Sequence, residues 1–188
     1  LKENNKTRDF YWKREEKSIE LNQKTIGIIG YGRLGKIIHH YAKAFNMKVL
    51  INDIDDIEQT NTPLNELLPK SDIVVLLIDY RKENDNFINK DKFKLMKNKV
   101  IFVNCSRGEH VNEDDLLFAL ERSEIGSCGL DVMRNDSTWN SIPRDNKLIQ
   151  YSRIHDNLLI TPHIGGYSDF SILETRRFVT NKLYNKLK

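Results

Sequence analysis

The sequence predicts an α/β fold: a doubly wound parallel sheet with helices on both faces. Three observations point there. Short runs of β-branched and aliphatic residues alternate with segments of helical period, and strands separated by helices make a parallel sheet. The run Ile73 to Ile78, IVVLLI, is apolar throughout, as a strand covered on both faces must be. A glycine-rich turn joins the first strand to the first helix, and right-handed crossovers then leave a doubly wound sheet as the arrangement.

Residues 1 to 24 are polar and charged, with Phe10, Tyr11 and Trp12 as an isolated aromatic cluster. Thr25 to Gly30, TIGIIG, reads as a buried strand closed by glycine. From Leu34 to Phe45 the apolar positions Leu34, Ile37, Ile38, Tyr41, Ala42 and Phe45 recur in steps of three and four, one face of a helix. Met47 to Ile51 is the second strand, ended by Asn52 and Asp53. Pro63 to Leu68 is a short helix with proline at its start. Strand Ile73 to Ile78, helix Asp91 to Met96 and strand Val100 to Val103 follow. Asn112 caps a helix over Glu113 to Arg122, whose first turn is acidic. Ser127 to Val132 and Leu158 to Thr161 are the last strands. The polar stretch Met133 to Asn157 between them is too long for a simple connector. Ser168 to Leu187 is a closing helix.

The chain has 188 residues, with 30 Lys and Arg against 27 Asp and Glu, a formal net charge of +3. That balance is too small to argue for a nucleic-acid partner. No run approaches the roughly 18 apolar residues of a membrane span, and the start has no apolar signal-peptide core. The two cysteines, Cys105 and Cys128, fit no metal or disulfide pattern and read as reduced thiols of a cytoplasmic protein. His39 and His40 fall mid-helix, His110 and His155 in loops. None has zinc-ligand spacing, so no metal is expected.

Gly30-Tyr31-Gly32-Arg33-Leu34-Gly35 is G-x-G-x-x-G between a strand and a helix, the context that gives this pattern meaning. Gly30 permits the tight turn, Gly32 lets a pyrophosphate approach the backbone, and Gly35 lets helix and strand lie close. The helix N-terminus offers free N–H groups and about half a positive charge. Asp53 ends the second strand, about 20 residues beyond the last glycine, where a carboxylate accepts both ribose hydroxyls of an adenosine and repels a 2′-phosphate. The expected cofactor is therefore NAD, in a Rossmann domain over residues 25 to 166.

Three further segments sit at carboxyl ends of strands, where open α/β sheets bind ligands. They are Asn104-Cys105-Ser106-Arg107-Gly108, Gly129-Leu130-Asp131-Val132 and Thr161-Pro162-His163-Ile164-Gly165-Gly166. With them in view the chain resembles the D-isomer-specific 2-hydroxyacid dehydrogenases, the family of D-3-phosphoglycerate dehydrogenase. The resemblance is carried by TIGIIGYGRLG, SDIVVLLI, LMKNKVIFVNCSRGEHVNEDDLLFAL, GLDV and LLITPHIGG, in order over roughly residues 20 to 185.

The resemblance implies hydride transfer between a 2-hydroxy acid and its 2-oxo acid. Arg107 would hold the substrate carboxylate, for which a guanidinium fork is suited. His163 would be the general acid/base, an imidazole titrating near the operating pH. The family's third catalytic residue is a Glu beside the His; its place falls here on Asp136, followed by Ser137 in place of the usual Pro. Asp is shorter by one carbon–carbon bond, about 1.5 Å. Asp145 and Asp156 are the alternatives if the loop runs differently. Asp131 would either face the nicotinamide carboxamide or cap the loop after its strand. Arg33 and Leu34 would lie against the pyrophosphate. Cys105, Ser106, Arg107, His163, Gly165 and Gly166 would border the nicotinamide side. Asp79 stands where the family commonly has proline, which changes polarity at that strand end.

Family members carry a substrate domain built from both chain ends, and most of it is expected to be missing here. Residues 1 to 24 would be the connection from it and residues 167 to 188 the helix returning to it. Tyr11, Trp12 and Phe170 would mark apolar faces toward it. The resemblance implies a homodimer. The alternative reading is a non-catalytic NAD-binding sensing or scaffold module on the same fold.

Overall fold

The computed structural model describes residues 8–10, 19–55, 61–139 and 143–187. Tyr11 and Trp12 lie outside them. Phe10 is fully exposed and Phe170 largely so. In chain order the elements are β1 (Thr25–Ile29), α1 (Arg33–Ala44), β2 (Lys48–Asn52), α2 (Leu64–Lys70), β3 (Ile73–Leu76), α3 (Lys90–Leu95), β4 (Ile101–Asn104), α4 (Glu113–Glu121), β5 (Ser127–Leu130), α5 (Lys147–Ser152), β6 (Leu158–Ile160) and α6 (Asp169–Leu187).

The six strands form one parallel sheet in the order β2-β1-β3-β4-β5-β6. The chain steps one way from β1 to β2, then reverses and steps the other way from β3 onward. Right-handed crossovers put the β1-to-β2 helix on one face and all later crossover helices on the opposite face. The reversal opens a crevice between β1 and β3 at their carboxyl ends.

The two faces are filled unequally. On the crowded face α2 to α5 pack over Ile29, Val74, Leu76, Phe102, Cys128 and Leu130. Gly27 belongs here: a Cβ on it would stand 2.4 Å from Leu67 and 2.5 Å from Ser71 Oγ. On the other face α1 covers Ile26, Ile28 and Val75 through Ala42. Beyond it, Ile101 and Val103 of β4 and Ser127 and Gly129 of β5 are only half-buried.

Local chemistry explains the helix starts. Asn89, Asn112 and Asn146 each accept a backbone N–H three residues on, at 3.3, 3.0 and 3.0 Å, satisfying donors that a helix leaves free. α2 starts after Pro63 and continues through Pro69 to Lys70, two residues past the expected end.

Three expectations change. The polar stretch after β5 is not wholly irregular: it contains α5, which buries Leu148 and Tyr151. The apolar stripe of α1 is helical, but only part of it faces the core, through Ile38 and Ala42. Leu34, Ile37, Tyr41 and Phe45 are 46–59% exposed, and Ala42 and Gly35 are the buried residues. His110 is not an ordinary loop histidine: it ends the 3-10 turn Gly108–His110 and is fully buried.

Phe102 is fully buried, with its ring edge-on to Phe93 at 5.6 Å between centroids. Phe102→Ala will destabilise the domain by about 3–5 kcal/mol in urea denaturation. Val103→Ala, its neighbour on the half-covered face, will lose markedly less.

Candidate active site

The glycine turn occupies the crevice. Gly30 has φ +98°, and a Cβ there would lie 2.7 Å from the Leu77 backbone, so only glycine fits. A Cβ on Gly35 would lie 2.3 Å from the Gly30 carbonyl oxygen, which fixes how closely α1 approaches β1. Around Gly32, by contrast, a Cβ would meet nothing within 4 Å. Gly32 is also the N-cap of α1 and offers no capping side chain. Arg33 and Leu34 open the helix, both exposed. Open space over an uncapped helix N-terminus is the shape a pyrophosphate needs.

Asp53 stands beside this turn. Its Oδ2 accepts the Tyr31 backbone N–H, and its Oδ1 accepts that of Asp55 at 3.0 Å. Asp53, Gly30, Gly32, Leu77 and Asp79 line a common cavity of about 480 Å³. The residues present therefore fit a dinucleotide, with the phosphates at the turn and a ribose at the carboxylate. Sequence reading missed three further lining residues, Arg81, Asn84 and Phe87. Arg81 Nε sits 3.2 Å from Asp79 Oδ2, so the charge at Asp79 is paired within the crevice wall.

At the end of β4, Asn104 is buried and accepts the N–H of Ser106 at 3.0 Å. The Arg107 side chain stays exposed, with Nη1 donating to the Ser106 carbonyl at 2.6 Å. Gly108 packs against the next loop so tightly that a Cβ would fall 2.0 Å from the Met133 carbonyl carbon. Cys105 is exposed. Partial desolvation and the nearby Asp131 carboxylate push its thiol pKa up, away from a reactive thiolate.

Asp131, after β5, organises the loop after β6. Its Oδ1 accepts from Thr161 Oγ1 at 2.5 Å and the Ile164 N–H at 3.0 Å, and its Oδ2 accepts the Gly165 N–H at 2.8 Å. Both oxygens thus hold the loop. Desolvation works to raise the Asp131 pKa. The hydrogen bonds from Thr161, Gly165 and Ile164 and the nearby His163 outweigh it and hold the carboxyl below 3.8. Gly165 cannot carry a Cβ, which would lie 2.8 Å from Asp131 Oδ2; Gly166 faces open space.

The loop carries His163 in a left-handed conformation, φ +54°. Such backbone costs on the order of 1–3 kcal/mol for a side chain other than glycine, and it persists where surrounding bonds enforce it. The ring is half exposed, and its Nδ1 lies 3.1 Å from Asp136 Oδ2. Asp136, rather than Asp145 or Asp156, is the carboxylate at the imidazole. Its short side chain reaches because the chain turns sharply there. Asn135 is left-handed at φ +61°, and Asp136 Oδ2 also accepts the Met133 N–H at 3.1 Å. The loop is held from outside by Glu113, which accepts the Arg134 N–H at 2.7 Å, and by Glu109, which accepts that of Asn135 at 3.1 Å. Neither acid was singled out from sequence. A cavity of about 490 Å³, walled by Met133, Trp139, Ile149 and Ile160, opens beside Asp136 and His163. Contacts therefore run without a break from Gly108 to Met133, Asp136 and His163. Among the described residues, no three His, Cys, Asp or Glu are grouped to hold a metal ion.

A parallel sheet that reverses between β1 and β3, with a glycine turn and an open helix N-terminus at the reversal, defines a dinucleotide-binding domain of the Rossmann class. The chain belongs to the D-isomer specific 2-hydroxyacid dehydrogenase family, whose NAD binding domain matches residues 1–165. Glyoxylate reductase of Pyrococcus furiosus is 38% identical over 154 residues, which make up 78% of this chain and 43% of that protein. Hydroxypyruvate reductase of Blautia hydrogenotrophica is 38% identical over 176 residues, 90% of this chain and 52% of that one. The chain thus spans about half the length of the curated relatives it matches. The structure of D-lactate dehydrogenase from Aquifex aeolicus, solved with NAD and lactic acid, superimposes with a TM-score of 0.86 at 32% identity, covering 99% of this chain and 62% of that one.

The acid sensitivity of the His163 loop has a definite sign. Asp131 has a folded-state pKa below its ordinary 3.8, so its stabilisation is present above pH 3.8 and is lost as pH falls through the folded value. Thermal unfolding from pH 6 to pH 2 will show this decline. Asp131→Asn will be less stable at pH 6 and will decline less.

Proposed function

We propose that this domain serves an NAD-dependent oxidoreductase that interconverts a D-2-hydroxy acid and a 2-oxo acid. The observation that carries the reading is the His163–Asp136 pair: His163 on the loop after β6 that Asp131 organises, and Asp136 on the loop after β5, the strand next to the β4 end that carries Cys105 to Arg107. NAD, when bound, supplies or accepts a hydride at its nicotinamide. Gly30, Gly32 and the first turn of α1 hold the phosphates, and Asp53 the adenosine ribose.

Arg107 takes the substrate carboxylate in a two-point grip, which orients the 2-oxo carbon. His163 Nδ1–H donates to Asp136, which fixes the tautomer and leaves Nε2 as the nitrogen that exchanges a proton with substrate. In reduction Nε2–H gives its proton to the carbonyl oxygen; in oxidation Nε2 takes the hydroxyl proton. The apolar cavity beside this pair keeps water from one side of the reacting centre. Cys105 and Ser106 border the cofactor without forming bonds to substrate.

The exposed residues Ile37, Tyr41 and Phe45 are the surface for a second copy of the chain, giving a homodimer. No described helix is long and apolar enough to cross a membrane. With both cysteines unpaired, the assignment is to the cytoplasm.

In the full-length protein supplied with NADH and a panel of 2-oxo acids, Arg107→Ala and His163→Ala will each lower kcat/KM by about 10²–10⁴-fold. If both variants match the parent, the non-catalytic NAD-binding module replaces this reading. Fluorescence titration will show NADH bound more tightly than NADPH, and Asp53→Ala will narrow that preference. Tighter NADPH binding by the unmodified protein would refute the role given to Asp53.

A further inference from the structure

Behind Arg107 lies a buried chain of polar groups that the mechanism above does not use. His110 is fully buried, and its Nδ1 is 2.9 Å from Ser106 Oγ. Ser106 Oγ donates to Asn104 Oδ1 at 2.7 Å. Asn104 Nδ2 in turn donates to the carbonyl oxygen of Arg107 at 2.9 Å, and the His110 backbone N–H reaches the same oxygen at 3.3 Å. The Ser106 hydroxyl has one proton, and it is committed to Asn104. Nδ1 must therefore carry the hydrogen of the His110 bond, and Nε2 is left with a lone pair. That Nε2 is buried and has no hydrogen-bond partner.

This tautomer suits a neutral ring. A second proton would place a charged N–H where no acceptor waits, which is expensive away from water. The groups facing the ring pull both ways. Tyr80, from the loop after β3, stacks on it at 6.1 Å between centroids. Burial dominates and lowers the pKa below 6.5. Glu109 on the same turn opposes it, Arg107 adds to it, and Asp79 and Asp85 from the segment after β3 oppose it.

We propose that His110 is a positioning residue for Arg107: its neutral ring, acting through Ser106 and Asn104, locks the backbone that aims the guanidinium at the substrate carboxylate. The proposal rests on the reading of Arg107 as the carboxylate anchor. Protonating His110 at Nε2 keeps the Nδ1–H but puts an unpaired charged N–H in a buried pocket, a cost that drives the ring out and so releases Ser106. The folded ring has the lower pKa, so its contribution is intact above pH 6.5 and is lost as pH falls through the folded value.

The test compares His110→Leu, which removes the donor, with His110→Asn, which keeps a neutral donor that does not titrate. Glyoxylate serves as the 2-oxo acid and NADH as the reductant, in the full-length protein. His110→Leu will raise KM for glyoxylate roughly tenfold or more, with the NADH dissociation constant unchanged within about twofold. His110→Asn will recover most of that loss. In the parent, KM will rise as pH falls through the folded His110 pKa, which lies below 6.5, and this acid limb will be absent from His110→Asn. Nitrogen NMR of the parent, which needs neither turnover nor a variant, will show the Ser106 amide and Arg107 Nε signals shifting with the His110 titration.

An unchanged KM in His110→Leu, an acid limb that survives in His110→Asn, or Ser106 and Arg107 signals indifferent to His110 would each overturn the proposal. Arg107→Lys separates the two ideas. If it raises KM while His110→Leu does not, the positioning role falls alone; if it leaves KM unchanged, the carboxylate reading falls and takes the proposal with it.

Discussion

All six strands run in one direction, so every carboxyl end opens on the same edge of the sheet. The loops leaving that edge are anchored by a few buried apolar residues, Ile88, Val111 and Met133. Where they come out into water they are held by short acids and amides at or just beyond the strand ends, each accepting backbone N–H groups. Asp53 takes those of Tyr31 and Asp55, Asn104 that of Ser106, Asp131 those of Ile164 and Gly165, and Asp136 that of Met133. A carboxylate fixed by backbone donors is worth more than an exposed ion pair, because the donors are already ordered.

The same groups divide into those spent on scaffolding and those left for chemistry. Asp131 has both oxygens bonded to its loop and at the same time lines the cavity beside His163. Asp136 shares one oxygen between Met133 and the imidazole, which couples the position of the ring to the course of its own loop. Arg107 is the opposite case: its backbone is anchored from behind while its side chain stays exposed. The left-handed backbone at His163 fits this division. The loop's hydrogen bonds to Asp131 hold a strained residue in place, a conformation the ring alone would not choose.

Much of this was legible in the sequence where one physical cause dominates. IVVLLI must be covered on both faces, and it forms β3 in the middle of the sheet. Gly30 and Gly35 sit where any side chain would strike backbone, so the motif announces itself. The rest was hidden where two causes compete. The α1 periodicity is real, but it cannot say whether an apolar stripe faces a core or another surface; the core took Ala42 and left Tyr41 and Phe45 outside. α5 is only six residues long, too short for the spacing of its buried Leu148 and Tyr151 to stand out from the polar stretch around it. His110 was hidden by its residue type, since a buried imidazole needs partners such as Ser106 that only folding brings to it. The Asp136 contact depended on a left-handed Asn135, which the sequence permits without requiring.

The open face of the sheet grades in size rather than in polarity. β4 presents Ile101 and Val103 there, whereas β5 presents Ser127 and Gly129. A layer laid across it meets bulky ridges at β4 and a shallow trough toward β6. Whatever packs into that trough comes almost to the peptide planes of β5. Its tilt is then set by the step between isoleucine and glycine, and enlarging either small residue by a few methyl groups would lever the whole layer away from the sheet.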